Sequence, residues 1–97
     1  MERRRYLVAY DITNDRRLRE VYREMLGWGT RLQYSVYLCD LTRPELIKLR
    51  RKLLELIDRD DDSVAIFDLG VPASSRAVVP EILGRPPTLP RQGPAIY

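Results

Sequence analysis

The chain contains no histidine. A serine–histidine or cysteine–histidine nucleophile pair cannot be built from it, nor can a histidine-ligated metal site. Its single cysteine, Cys39, excludes an intrachain disulfide and offers no zinc-ligand spacing, which suits a reducing cytoplasmic setting. No apolar run is long enough to span a membrane, and the start MERRRYLVAYD has too short an apolar stretch for a signal peptide. Any catalysis must therefore use carboxylates, hydroxyls or a bound metal.

A length of 97 residues allows one small domain, and a domain of that size buries only roughly 60–65% of its unfolded surface. Five of the seven prolines fall after Val79 (Pro80, Pro86, Pro87, Pro90, Pro94). This divides the chain into a folded unit over 1–79 and a proline-rich tail over 80–97. So thin a core makes association with a second copy attractive. The net charge of +3 comes from 17 basic and 14 acidic residues, and 15 of the basic ones are arginine. The planar guanidinium fork suits phosphate, which points to a nucleic-acid partner. The plainer alternative is arginine used for solubility, and composition does not separate the two.

Residues 4–13, RRYLVAYDIT, carry the apolar and aromatic run Tyr6, Leu7, Val8, Ala9 and Tyr10. It is short and lacks a 3.6-residue period, which predicts a buried central strand. Asp11 stands where that strand runs out. A carboxylate at a strand end sits at the rim, where it acts either as a ligand for a divalent metal or as the acceptor holding the turn into the next helix. Thr13, Asn14 and Asp15 are helix-start residues. Leu18, Val21, Tyr22, Met25 and Leu26 then form one apolar stripe, with Gly27 as the stop.

Residues 30–41 are rich in β-branched and aromatic types but long for one strand, so two strands are expected with a break near Gln33, Tyr34 and Ser35. Tyr34, Val36 and Leu38 alternate with Ser35, Tyr37 and Cys39, and one face is more apolar than the other. Thr42-x-x-Glu45 is a capping box with Pro44 in the first turn, so a second helix starts there. Its buried stripe is Leu46, Leu49, Leu53, Leu56 and Ile57. Asp58, Asp60, Asp61 and Asp62 do not make a calcium loop, because Ser63 and Leu69 would stand where glycine and a bidentate glutamate are required. They are expected as a solvated loop. Residues 64–69 form a further strand, with 76–79 as a short edge strand before Pro80.

Strand, helix, two strands, helix, strand is the α+β, ferredoxin-like βαββαβ order: an antiparallel sheet with both helices on one face. The other face needs a cover, and a second copy supplies one.

The run Tyr10-Asp11-Ile12-Thr13-Asn14-Asp15, the arginine-rich first helix, Arg31-Leu32-Gln33-Tyr34-Ser35-Val36-Tyr37 and the Asp-rich turn before Ser63-Val64 together resemble the small CRISPR-associated adaptation protein, the second of the two universal spacer-acquisition proteins. The resemblance covers about residues 4–70. It implies a homodimer with facing sheets in which Asp11 lies near the two-fold axis as a metal ligand. It also implies metal-dependent endonuclease activity on RNA or DNA, or a bridging role between integrase subunits during spacer insertion. The sequence departs from the family pattern at Leu38, where a glutamate is frequent, at Tyr37, where phenylalanine is common, and in the tail after Pro80.

On this reading Mg²⁺ or Mn²⁺ is shared between the Asp11 residues of two subunits, because Mg²⁺ takes one or two carboxylates and completes its shell with water and phosphate oxygens. Arg16, Arg17, Arg19 and Arg31 are candidate phosphate contacts, each with surface solubility or an ion pair as the alternative. Ser35 is a candidate to orient a water or substrate oxygen, or else serves a bend. The competing functions are a catalytic nuclease, a non-catalytic scaffold joining an integrase and DNA, and a small ribonuclease toxin. An RNA-recognition motif of the same topology is disfavoured by the absence of its aromatic signature.

Overall fold

The apolar run 6–10 forms the middle of strand β1 (Arg4–Asp11), with strands on both sides of it in a computed structural model that describes residues 2–72 and 80–85. Helix α1 (Asp15–Leu26) follows, then β2 (Thr30–Gln33), β3 (Val36–Leu41), helix α2 (Arg43–Leu56) and β4 (Ser63–Gly70). The sheet order is β2-β3-β1-β4 and every neighbouring pair is antiparallel. This is the ferredoxin-like order expected from the sequence. The long stretch 30–41 divides at Tyr34 and Ser35, as its polar centre predicts.

Alternation along the strands sorts side chains into two faces. On one face Tyr6, Val8 and Tyr10 of β1 lie beside Tyr37, Cys39 and Leu41 of β3, and all are buried. Val21, Tyr22 and Met25 of α1 and Leu49 and Leu53 of α2 complete that core, so both helices cover the same side. The more polar set of the Tyr34–Cys39 alternation is thus the inward one. A Tyr and a Cys bury well here because an aromatic ring carries a large apolar surface and a thiol behaves as a small hydrophobe.

Among the described residues no helix covers the opposite face. There Leu7 lies between Leu38 and Phe67, and Ala9 lies between Val36 and Ala65. Phe67 is 53% exposed. At one edge of this face Pro80 and Ile82 line a groove with Trp28, Thr30, Leu32 and Leu38.

Helix α2 starts as its sequence dictates: the Thr42 hydroxyl accepts from the Glu45 N–H, and the Glu45 carboxylate accepts from the Thr42 N–H at 2.8 Å. The end of α1 differs from expectation in two respects. Leu26 is exposed, because it lies in the last turn and the chain leaves the core after Met25. Gly27 caps the helix with φ −82°, a conformation open to any residue, so the stop is not a left-handed glycine turn. The glycine that matters is Gly29, where a Cβ would collide with the Leu38 carbonyl oxygen and with Cys39 Sγ. The edge strand expected over 76–79, the domain boundary at 79 and the tail beyond 85 lie outside the described residues.

Candidate functional site

The end of β1 is held from two sides. The Tyr10 N–H donates to the Ser35 carbonyl in the β2–β3 turn at 3.1 Å, and Asp11 pairs with Ser63, the first residue of β4. Strand alternation puts Asp11 on the helix-free face with Leu7 and Ala9, and its side chain is exposed.

The turn into α1 is built without the Asp11 carboxylate. Asn14 is the N-cap and accepts from the Arg17 N–H at 3.0 Å. Asp62, reaching across from the α2–β4 loop, accepts from the Thr13 N–H at 3.0 Å and the Thr13 hydroxyl at 3.1 Å. Of the two roles open to Asp11, the turn role is thus filled by Asn14 and Asp62.

Asp62 corrects the expectation of a wholly solvated acidic loop. Its side chain has no exposed surface, and Arg17 Nε meets its Oδ2 at 2.7 Å. It also accepts from Arg17 Nη2 at 3.2 Å and from the Asp58 N–H at 2.9 Å. A buried carboxylate is tolerated only when paired and hydrogen-bonded, and this one has a cation and three further donors. The Arg17 guanidinium, with the Thr13 and Asp58 amides, holds the Asp62 carboxyl well below the usual carboxylate range. Asp58, Asp60 and Asp61 remain at the loop surface, Asp58 half-buried. No run of local sequence could single out Asp62, since Arg17 and Thr13, which pair with it and bury it, lie 45 and 49 positions away. The one hint is its position directly before an apolar strand.

The predicted arginines take different places. Arg16 is exposed in the first turn of α1. Arg17 spends its Nε and Nη2 on Asp62 and the Thr13 hydroxyl. Arg19 is half-buried. Arg31 lies over the rings of Tyr22 and Tyr34 at 5.3 and 5.5 Å and donates to the Gln33 and Tyr34 carbonyls, so it staples the β2–β3 turn. Ser35 is half-buried in that turn and supplies its backbone carbonyl to Tyr10. Asp11, Ser35, the Arg31 staple, the start of α1 and Asp62 all stand at one end of the sheet, because β1 ends where β4 begins and where β2 turns into β3.

Among the described residues no group of three or more His, Cys, Asp or Glu side chains could enclose a metal ion. Asp11 offers one exposed carboxylate at this end, with the Asp62 carboxylate taken up by Arg17, Thr13 and Asp58. That suits a Mg²⁺-type ion, which keeps most of its water, and does not suit a caged structural ion. No helix among the described residues is long and apolar enough to cross a membrane.

Residues 4–76 match the family model described as CRISPR associated protein Cas2. The chain is 43% identical over 65 residues to the CRISPR-associated endoribonuclease Cas2 of Geobacter sulfurreducens, covering 67% of this chain and 68% of that one. It is 42% identical over 88 residues to CRISPR-associated endoribonuclease Cas2 1 of Rhodospirillum rubrum, covering 90% and 85%. Among solved structures it resembles a hypothetical protein of Thermus thermophilus, with TM-score 0.76 and 33% identity over 91% of this chain and 99% of that one. It also resembles Streptococcus pyogenes Cas2, with TM-score 0.69 and 33% identity over 82% and 99%. A shared fold by itself leaves activity open, but a family match over most of the chain, joined to the β1 carboxylate and the helix-free face, places the protein: it belongs to the CRISPR associated protein Cas2 family.

Proposed function

We propose that the chain is a cytoplasmic, divalent-metal-dependent endonuclease of CRISPR spacer acquisition, hydrolysing RNA or DNA phosphodiesters as a homodimer. The observation that carries this is the exposed Asp11 carboxylate at the end of the central strand, with its turn duties assigned to Asn14 and Asp62. The names of the relatives, CRISPR-associated endoribonucleases, support the reaction class.

The helix-free face supports pairing. Two such faces laid together remove the rows Leu38-Leu7-Phe67 and Val36-Ala9-Ala65 from water, and a two-fold axis makes the patch self-complementary. Asp11 from each copy then supplies the second carboxylate that one chain lacks. Mg²⁺ or Mn²⁺ bound there supplies Lewis-acid polarisation of the scissile phosphate and offsets the repulsion between two like charges. Arg16 is free to contact a phosphate. Arg17 and Arg31 act mainly by fixing the turns on either side of Asp11, and Arg19 and Ser35 are secondary candidates for contact with the nucleic acid.

A second reading, a non-catalytic scaffold joining a CRISPR-associated integrase and DNA, is favoured by the arginine-rich composition, with arginine making 15 of the 17 basic residues in a chain of net charge +3. Cleavage of single-stranded RNA and duplex DNA in Mg²⁺, Mn²⁺ and chelator, beside an Asp11→Ala protein of unchanged oligomeric state, separates the two. Metal-dependent cleavage lost in the variant is the expected result. Equal cleavage by both proteins, or binding of DNA by both without cleavage, overturns the catalytic reading.

A further inference from the structure

Helix α2 carries two apolar rows. Leu49 and Leu53, with Leu46 and Leu56, face the core. On the outer side Ile47 and Leu54 are 46% and 45% exposed. They stand seven positions apart, hence on one face and about 10 Å apart along the axis. Together with Arg50, Arg51, Glu55 and Arg59 they line one shallow groove.

The charge in this groove is unbalanced. It holds three guanidinium groups against one carboxylate. Around the sheet and its loops, arginines find carboxylates: Arg3 with Glu45, Arg4 with Asp68, Arg5 with Asp40 and Arg17 with Asp62. Among the described residues Arg50, Arg51 and Arg59 form no ion pair, although Glu55 stands one helical turn from Arg51. Exposed aliphatic anchors flanked by uncompensated arginines match what protein interfaces concentrate: apolar centres, and guanidiniums that grip carboxylates in bidentate geometry.

We infer that the outer face of α2 docks an acidic amphipathic helix of a partner protein, its apolar row meeting Ile47 and Leu54 and its Asp or Glu residues meeting Arg50, Arg51 and Arg59. A nucleic-acid backbone would satisfy the arginines but leave both aliphatic side chains in water. A second copy of this chain, docked by the same face, would bring the arginines of both copies together and repel. The groove lies on the helix layer, on the other side of the sheet from Leu7, Ala9 and Asp11, so the inference is independent of the nuclease reading.

The test is fluorescence anisotropy with the full chain and a labelled peptide of about 18 residues, long enough to hold helix, with leucines at helical spacing and glutamates beside them. A peptide of the same composition in scrambled order and a labelled DNA duplex are the comparisons. The amphipathic peptide is expected to bind at least about tenfold more tightly than the scramble, and Leu54→Ser and Arg51→Glu are each expected to weaken it by about tenfold or more. Both positions are exposed, so circular dichroism should show an unchanged fold. Equal binding of the two peptides would overturn the inference. So would displacement of the peptide by the duplex with no effect of Leu54→Ser, or a fall in molecular mass on Leu54→Ser that showed a second copy to be the occupant.

Discussion

Replacing Asp62 by asparagine changes one atom of a buried side chain, and the geometry says the change is severe. Oδ1 accepts from the Thr13 N–H, the Thr13 hydroxyl and Arg17 Nη2, while Oδ2 accepts from Arg17 Nε and the Asp58 N–H. Whichever way the new side-chain amide is turned, its NH₂ points at two N–H donors. Each buried donor left without an acceptor costs about 1–3 kcal/mol, and Arg17 loses its counter-charge as well. The Arg17 side chain keeps 20% of its surface in water and recovers part of this. A net loss of about 2–4 kcal/mol follows, which in a domain of this size lowers Tm by about 10–25 °C. Urea unfolding at fixed protein concentration measures it, since any dimer adds concentration-dependent stability. Asp60→Asn, in the same loop but exposed, should stay within about 0.5 kcal/mol of the parent.

The pH dependence has a definite sign. The folded Asp62 carboxyl is held below its ordinary value, so its contribution is complete above the unfolded pKa of about 4 and is lost as pH falls below it toward the folded value. The stability gap between the parent and the Asp62→Asn protein should therefore be constant from about pH 7 to pH 5 and narrow below about pH 4. A variant within about 0.5 kcal/mol of the parent at neutral pH, or a gap that does not narrow in acid, would refute the buried network.

Two further outcomes follow from the packing. Gly29→Ala should destabilise by about 1–3 kcal/mol in the same urea titration, because the new methyl meets the Leu38 backbone as well as Cys39 Sγ, and a backbone carbonyl of the paired strand cannot step aside. Burial pushes the Cys39 thiol up to about 12, so an aromatic disulfide reagent at pH 8 should leave the native protein unlabelled and titrate one thiol per chain in denaturant; rapid labelling of the native protein would place Cys39 outside the core.

The features legible in the sequence are those whose causes lie within a few residues. The Thr42–Glu45 box, the polar break at Tyr34 and Ser35, and the element order are local, and the structure follows them. What sequence reasoning missed depends on pairs far apart in the chain. Asp62 looks like the other loop aspartates until the fold brings it to Thr13 and Arg17, 49 and 45 positions away. Arg17 finds Asp62 by the same long-range route, whereas the Arg31 contacts with Tyr22 and the β2–β3 turn span no more than nine positions and depend on how the chain bends there. Ile47 and Leu54 fall outside the buried stripe of α2, and their meaning depends on Arg59, which the fold sets beside them beyond the helix end. The place of Asp11 at the exposed end of β1 was legible because the apolar run before it sets where the strand stops.

The most direct test of a site assembled from two Asp11 carboxylates is cleavage by subunits mixed in equal amounts, parent with Asp11→Ala, after exchange to equilibrium. Random pairing leaves about a quarter of the dimers with both carboxylates, so activity falls to about a quarter of the parent's if the two act together. Activity at about half would mean that each carboxylate works alone and would contradict the shared site.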